Sequence, residues 1–257
     1  MNITYSDLEP GIGCVLIDHP QRRNALTSEM FEALAKLWPQ LARRGDLRAV
    51  LIRGAGENFC AGADLSLDID GSKEVDALVD RALIKTELFP LPLIAAIEGA
   101  CVAGGLELVL SADVRIAATE ATLGFPEVRW GIMPSGGGTM KLVEQIGQAA
   151  AMDLLLTARL IDGLEAHRIG LVSNVVPSAE VWPLALQRAR MIASNSPEAV
   201  RATKLAALGR RASDHTAAER AERALVGELR RSGAPNEGKA AFRERRAPAW
   251  ARGREPR

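Results

Sequence analysis

Two carboxylates stand out for the company they keep. Glu107 lies in GACVAGGLELVLSAD (99–113), an otherwise apolar run with Gly104 and Gly105 just ahead of it, and Glu127 follows a proline in TLGFPEVRWGIMPSGGGTMKL (122–142). Glycines at a helix start let a ligand approach the backbone, where unpaired N–H groups and the helix dipole favour negative charge. A carboxylate beside such a site could move a proton to or from whatever binds there. The plainer reading of Glu107 is a polar position on a half-buried helix, with Ser111 one turn later; that of Glu127 is a surface loop residue. Spacing alone leaves both open.

Two further stretches have suitable chemistry. In GAGENFCAGADL (54–65) the small residues Ala61, Gly62 and Ala63 permit close backbone contact, and Asp64 can cap the turn that follows. In DHPQRRNALT (18–27) Arg22 and Arg23 stand before a helix start, suited to phosphate groups or to a solvated turn. His19, before a proline, reads as structural. The glycines of PSGGGT lack the spacing and the Lys-Ser/Thr ending of a nucleotide phosphate loop.

The elements that must position these residues alternate. IGCVLID (12–18), RAVLIRG (48–54), PLIAAI (92–97) and DVRIA (113–117) are short apolar, β-branched runs bounded by turn residues, as buried strands are. SEMFEALAKLWPQLARRG has apolar residues at helical spacing, with Pro39 arguing for a kink, and SKEVDALVDRALIKTELF repeats the pattern with Ser72 as N-cap. Such alternation predicts an α/β core whose working groups come from the loops and helix starts after the strands. Beyond about residue 139 the sequence predicts helices over 139–146, 148–157, 179–194, 197–209, 215–231 and 236–246, with one strand in LVSNVV (171–176).

At 257 residues and 47% hydrophobic composition, the chain can bury a sizeable core. Its formal net charge is zero, although residues 201–257 hold 15 basic and 7 acidic side chains. No signal-peptide pattern or bilayer-length apolar run is present. Cys14, Cys60 and Cys101 have no metal-ligand spacing and fit reduced thiols in a cytoplasm.

HPQRRNALT, GAGENFCAGADL, IEGACVAGGLEL, GFPEVRWGIMPSGGGT and the C-terminal SPEAVRATK with EGKAAFRERRAP, in that order, resemble the enoyl-CoA hydratase/isomerase (crotonase) superfamily over nearly the whole chain. The resemblance implies an α/β crotonase-type spiral core of repeated ββα units over residues 1–195 and a C-terminal helical oligomerisation region over 196–257. It implies that backbone N–H groups of Ala61 and Gly104 form an oxyanion hole for a thioester oxygen, and that Glu107 and Glu127 are the catalytic carboxylates. Arg22, Arg23, Ala61, Gly62, Ala63, Asp64, Leu65 and Gly104 would hold the substrate and its coenzyme A.

The activity so implied is 2-enoyl-CoA hydration by a homotrimer or dimer of trimers in the cytoplasm. Neither a metal nor a cofactor beyond the substrate's own coenzyme A is expected, nor a nucleic-acid or membrane partner. Retention of both glutamates favours hydration over double-bond isomerisation, the enzymatic alternative. A non-catalytic, RNA-associating role would draw on the basic tail, whose alternating Arg and Glu read instead as a solvated helix face. Departures from the family pattern are Ala103, where a third glycine is common, the C-terminal segment Arg243-Glu244-Arg245-Arg246, and SGAPNEG, which lacks the acidic residue often found before its Glu-Gly pair. The C-terminal changes would bear on coenzyme A contacts and subunit packing more than on chemistry.

Overall fold

The computed structural model describes residues 2–64 and 72–251, apart from the side chains of 209–222 and 251. The chain begins with strands β1 (Asn2–Glu9) and β2 (Ile12–Asp18), helix α1 (Ser28–Ala42), strand β3 (Ala49–Gly54), helix α2 (Lys73–Ala82) and strand β4 (Leu93–Ile97). Next come β5 (Ala100–Val102), α3 (Gly104–Val109), β6 (Val114–Ala118) and β7 (Thr122–Gly124). After α4 (Gly138–Ile146), α5 (Gln148–Thr157), β8 (Leu160–Asp162), α6 (Gly163–Arg168) and β9 (Asn174–Val176), only helices follow: α7 (Ser178–Ala193), α8 (Pro197–Arg231) and α9 (Ala234–Arg243), with a short 3-10 turn at Ala249–Ala251.

One sheet has the order β1-β2-β3-β4-β6-β9. β1 pairs antiparallel to β2, and every other neighbour is parallel. A parallel strand covered on both faces must be apolar on both, and β4 is buried at all five positions. α7 lies against β3, β4 and β6. A second sheet, β5-β7-β8, stands beside the strand ends. Isolated bridges Cys60 to Cys101 and Leu26 to Ala63 tie the loops following β2 and β3 to it.

Local signals place the helices. The Thr27 hydroxyl accepts from the N–H of Met30 to cap α1, and the Ser72 hydroxyl does the same for Val75 at α2. Pro39 sits in the last turn of α1, which continues to Ala42. The two C-terminal helices expected over 197–209 and 215–231 are one helix, α8, with Pro197 in its first turn and Ser196 as cap. β1 carries no strand signal in the sequence because it is an edge strand with Ile3 its single buried residue. β5, β7 and β8 have three residues each, too few to display a period.

α8 spans a long distance. Near its start Lys204 is buried against the carboxylate of Asp113 (2.6 Å) and the carbonyl of Leu91 (2.7 Å). Near its end Arg223 pairs with Asp80, and Arg230 with Asp76 at 3.0 Å, both on α2.

Candidate active site

Glu107 sits in the first turn of α3 and is 5% exposed. Its Oε1 accepts a hydrogen bond from the backbone N–H of Gly138 (3.0 Å), the first residue of α4. The buried carboxylate is thus held at a second helix N-terminus, where negative charge is favoured. The glycines of PSGGGT make this approach possible: a Cβ on Gly136 would come within 2.5 Å of Glu107 Oε2, and one on Gly138 within 3.1 Å of Oε1. That loop therefore wraps a carboxylate of its own chain.

Glu127 opens a 3-10 turn, Glu127–Trp130, after β7. Its Oε2 is inaccessible and has no hydrogen-bond partner among the described residues. Burial first, and then the charge of Glu107, push its carboxyl well above the usual carboxylate range. The shift favours the protonated form of Glu127, while Glu107 accepts the Gly138 N–H. α9 braces this turn. Phe242 meets Trp130 edge to face with centroids 5.2 Å apart, and a Cβ on Gly238 would overlap the Trp130 carbonyl. The Glu-Gly pair of the C-terminal segment, where the family resemblance implies coenzyme A contacts and subunit packing, thus lets α9 close onto the turn carrying Glu127.

The backbone donors need one correction. The N–H of Ala61 donates to the carbonyl of Arg23 at 3.0 Å, so it is committed to holding two loops together and does not face a ligand. Ala63 stands where that donor was expected. Its nitrogen lies 3.6 Å from the Cβ position of Gly104, and among the described residues neither Ala63 nor Gly104 has an acceptor for its N–H. The two segments touch closely, since a Cβ on Gly62 (φ +89°) would come within 2.7 Å of the Ala103 methyl.

Ala103 itself has φ +51° and ψ −130°, a backbone state that side chains avoid. Its N–H donates to the Gly124 carbonyl at 3.0 Å, which helps hold it there. Such strain costs roughly 1–3 kcal/mol. Ala103→Gly is therefore expected to raise the calorimetric melting midpoint by about 2–4 °C. An unchanged or lower midpoint would show that the methyl packing outweighs the strain.

Arg22 and Arg23 are exposed on the turn after β2, and the Leu26 to Ala63 bridge brings that turn beside Gly62, Ala63 and Asp64. Asn24, which carries no local signal of its role, makes the turn possible. It is fully buried at φ +58°, and its side chain donates to the carbonyls of Ala55 (2.9 Å) and Asn58 (2.6 Å) while accepting from the N–H of His19. The His19 ring is buried and pairs through Nδ1 with the Ala25 carbonyl (2.9 Å), a structural role. Leu65 lies outside the described residues. No group of three or more His, Cys, Asp or Glu among the described residues is placed to hold a metal ion.

A buried carboxylate, a neighbouring buried carboxyl and two backbone N–H groups without acceptors among the described residues are the parts that acid–base chemistry on an anionic intermediate needs. The chain belongs to the enoyl-CoA hydratase/isomerase family, whose model matches residues 7–253. It is 38% identical over 243 residues, 93% of this chain and 94% of the relative, to probable enoyl-CoA hydratase echA8 of Mycobacterium leprae. It is also 38% identical over 195 residues, 73% of each chain, to enoyl-CoA hydratase EchA19 of Mycobacterium tuberculosis. The crystal structure of carnitinyl-CoA hydratase from Mycobacterium avium superposes with a TM-score of 0.89 at 32% identity, covering 98% of each chain. The α/β fold with C-terminal helices is thus the crotonase fold.

Proposed function

We propose that the protein adds water reversibly across the C2–C3 bond of 2-enoyl-CoA thioesters to give 3-hydroxyacyl-CoA. The observation that carries this reading is the unequal setting of the two glutamates: Glu107 accepts an N–H at a helix N-terminus, as suits a base, whereas burial and the charge of Glu107 raise Glu127, as suits a proton donor. Water attacks C3 as Glu107 takes its proton, and the π electrons move onto the thioester oxygen. The N–H groups of Ala63 and Gly104 stabilise that enolate more than the ground-state carbonyl. The enolate then collapses as Glu127 gives its proton to C2. One proton returned from Glu107 to Glu127 resets the pair.

Arg22 and Arg23 suit the phosphate groups of coenzyme A. The reaction calls for no metal and no cofactor beyond the substrate's own coenzyme A. Purified protein is expected to consume the conjugated enoyl-thioester absorbance of crotonyl-CoA and yield 3-hydroxybutyryl-CoA, with or without a chelator. Conversion of 3-enoyl but not 2-enoyl thioesters, or loss of activity on chelation, would overturn the reading.

We also infer a homotrimer or a dimer of trimers, with the C-terminal region 196–257 contributing to subunit packing. α5, QAAAMDLLLT, carries a single charge and exposes Met152 and Leu156; Leu160, Leu164 and Val128 nearby are exposed as well. An apolar patch of this kind marks an interface. Leu156→Arg combined with Leu164→Arg should shift the mass in light scattering toward that of one 27.5 kDa chain. A trimer unaffected by both changes would remove this patch from the interface. No helix among the described residues is long and apolar enough to cross a membrane. With Cys14, Cys60 and Cys101 all buried and free, a reducing cytoplasm suits the chain.

A further inference from the structure

Three lysines are buried among the described residues: Lys85, Lys141 and Lys204. Two have a carboxylate in reach, Lys85 at 3.6 Å from Asp80 and Lys204 at 2.6 Å from Asp113. Lys141 has no carboxylate within salt-bridge distance among the described residues. Its ammonium instead donates to the carbonyl of Ile84 (2.6 Å) and the hydroxyl of Ser111 (2.7 Å). That hydroxyl in turn donates to the carbonyl of Leu83 (2.9 Å). A charge buried without a direct counter-ion is costly, and its field reaches further than that of a paired one.

The geometry of two rungs gives this charge a purpose. Glu107 and Ser111 are four residues apart along α3 and its end; Gly138 and Lys141 are three apart on α4. Residues at those spacings lie on one helix face. The same two helices are therefore joined twice, by the Gly138 N–H on Glu107 (3.0 Å) and one turn further on by Lys141 on Ser111 (2.7 Å). The Ile84 carbonyl adds a third anchor at a residue with φ +53°, next to Leu83, whose side chain fills the space beside Gly136 and Glu107.

We propose that Lys141 is the positioning residue for Glu107: its hydrogen bond to Ser111 sets the spacing of α3 and α4, its bond to Ile84 ties them to the segment after α2, and its positive charge keeps the Glu107 carboxylate ionised. Its catalytic consequence rests on the hydratase reading, its spacing role on the hydrogen bonds of Lys141, and its electrostatic role on the attraction between Lys141 and Glu107. Several charges face the pair. On Lys141 act Glu107 of α3 and Glu144 of α4, which favour the ammonium, and Arg115 of β6 and Lys85 of the segment after α2, which oppose it. On Glu127 acts Glu107. Burial is the largest influence on Lys141 and pulls its ammonium down to about 7, so across the acid range the charge is present.

The test uses Lys141→Gln, which keeps a donor without the charge, and Lys141→Arg, which keeps the charge. Carbon-13 NMR of glutamate carboxyls, with Glu107 assigned by its loss in Glu107→Gln, reads its titration without any substrate. Glu107 should titrate at least one pH unit higher in Lys141→Gln than in the wild type and return toward the wild-type value in Lys141→Arg. With crotonyl-CoA, Lys141→Gln should lose about tenfold or more in kcat with KM within twofold, and the acid limb of kcat should move up with the carboxyl titration. Ser111→Ala, which removes the cross-helix bond but leaves the charge in place, should shift the titration by much less than loss of the charge does, and tests the proposal if Lys141→Gln does not fold.

An unmoved Glu107 titration in Lys141→Gln overturns the proposal, as does a Ser111→Ala shift as large as that of Lys141→Gln. Absence of crotonyl-CoA hydration by the wild type, with the carboxyl shift present, defeats the hydratase reading and leaves the electrostatic role standing.

Discussion

Glu127→Gln is expected to cut hydration by a hundredfold or more while making the protein more stable. The catalytic loss follows from the loss of a proton donor to C2, a contribution typically worth about 10²–10⁴ in rate. The stability gain follows from the direction of the shift. Burial and the neighbouring Glu107 charge raise the folded-state value of Glu127 above its ordinary one. A group so shifted favours the fold fully below its unfolded value, and that contribution is lost as pH rises through the raised folded value. At neutral pH and above it therefore burdens the fold, and a neutral isostere removes the burden. The melting midpoint should rise by about 2–4 °C for ~1 kcal/mol, with the difference from wild type widening as pH increases.

Glu107→Gln should also reduce hydration about a hundredfold, because the water then lacks a base. Its second effect is on Glu127: with the neighbouring charge gone, that carboxyl falls back toward the ordinary range, so the alkaline limb of any residual activity moves to lower pH. Kinetics with both 2-enoyl and 3-enoyl thioesters decide the reaction class. If Glu107→Gln retains the principal activity while Glu127→Gln abolishes it, one carboxylate suffices and the enzyme is an isomerase.

Gly105→Ala carries the other large expected effect, although it touches no reacting group. A Cβ there would overlap the Cys60 carbonyl and lie 2.8 Å from the Cys60 Cβ and 3.0 Å from its carbonyl carbon. Backbone cannot yield as a side-chain tip does, so the loop carrying Ala63 must retreat from α3, parting the two N–H donors. Loss of one such donor typically costs about 10²–10³ in kcat, and the overlap adds roughly 1–3 kcal/mol of destabilisation. Gly45→Ala is the control, since nothing lies within 4 Å of its Cβ position. Raman spectra of a bound enoyl thioester measure the donors directly: the carbonyl stretch should be less polarised in Gly105→Ala than in the control. Equal stretches in a folded Gly105→Ala protein would mean that the donors are not where Ala63 and Gly104 place them.

What was legible in the sequence depended on how far apart the deciding residues lie. The strands β2, β3, β4 and β6 announce themselves through local composition, and Glu107 through two glycines immediately ahead of it. That the Ala61 N–H is bonded to Arg23 has a physical source outside the local sequence. In an extended segment N–H groups two residues apart share a side, so Ala61 and Ala63 would point alike; Gly62, at φ +89°, breaks the run between them, and which of the two meets Arg23 depends on the pairing of the two loops. That is fixed by a register between residues almost forty positions apart. The bracing of Glu127 by α9 was hidden for the same reason, because Gly238 and Trp130 meet only in the folded chain. Ser111 and Lys141 read as ordinary helix positions until the two helices are seen side by side.

The reach of α8 from the sheet to α2 bears on how ionic strength acts on this enzyme. Its two ends are fastened differently: Lys204 is buried, whereas Arg223 and Arg230 remain about a third exposed where they meet Asp80 and Asp76. Counter-ions at molar concentration shrink the screening distance to about 3 Å and reach the second end but not the first. Concentrated salt thus loosens the seam over α2 while the attachment at the sheet holds, and an assay run in it reports on the freedom of that seam as well as on the two glutamates.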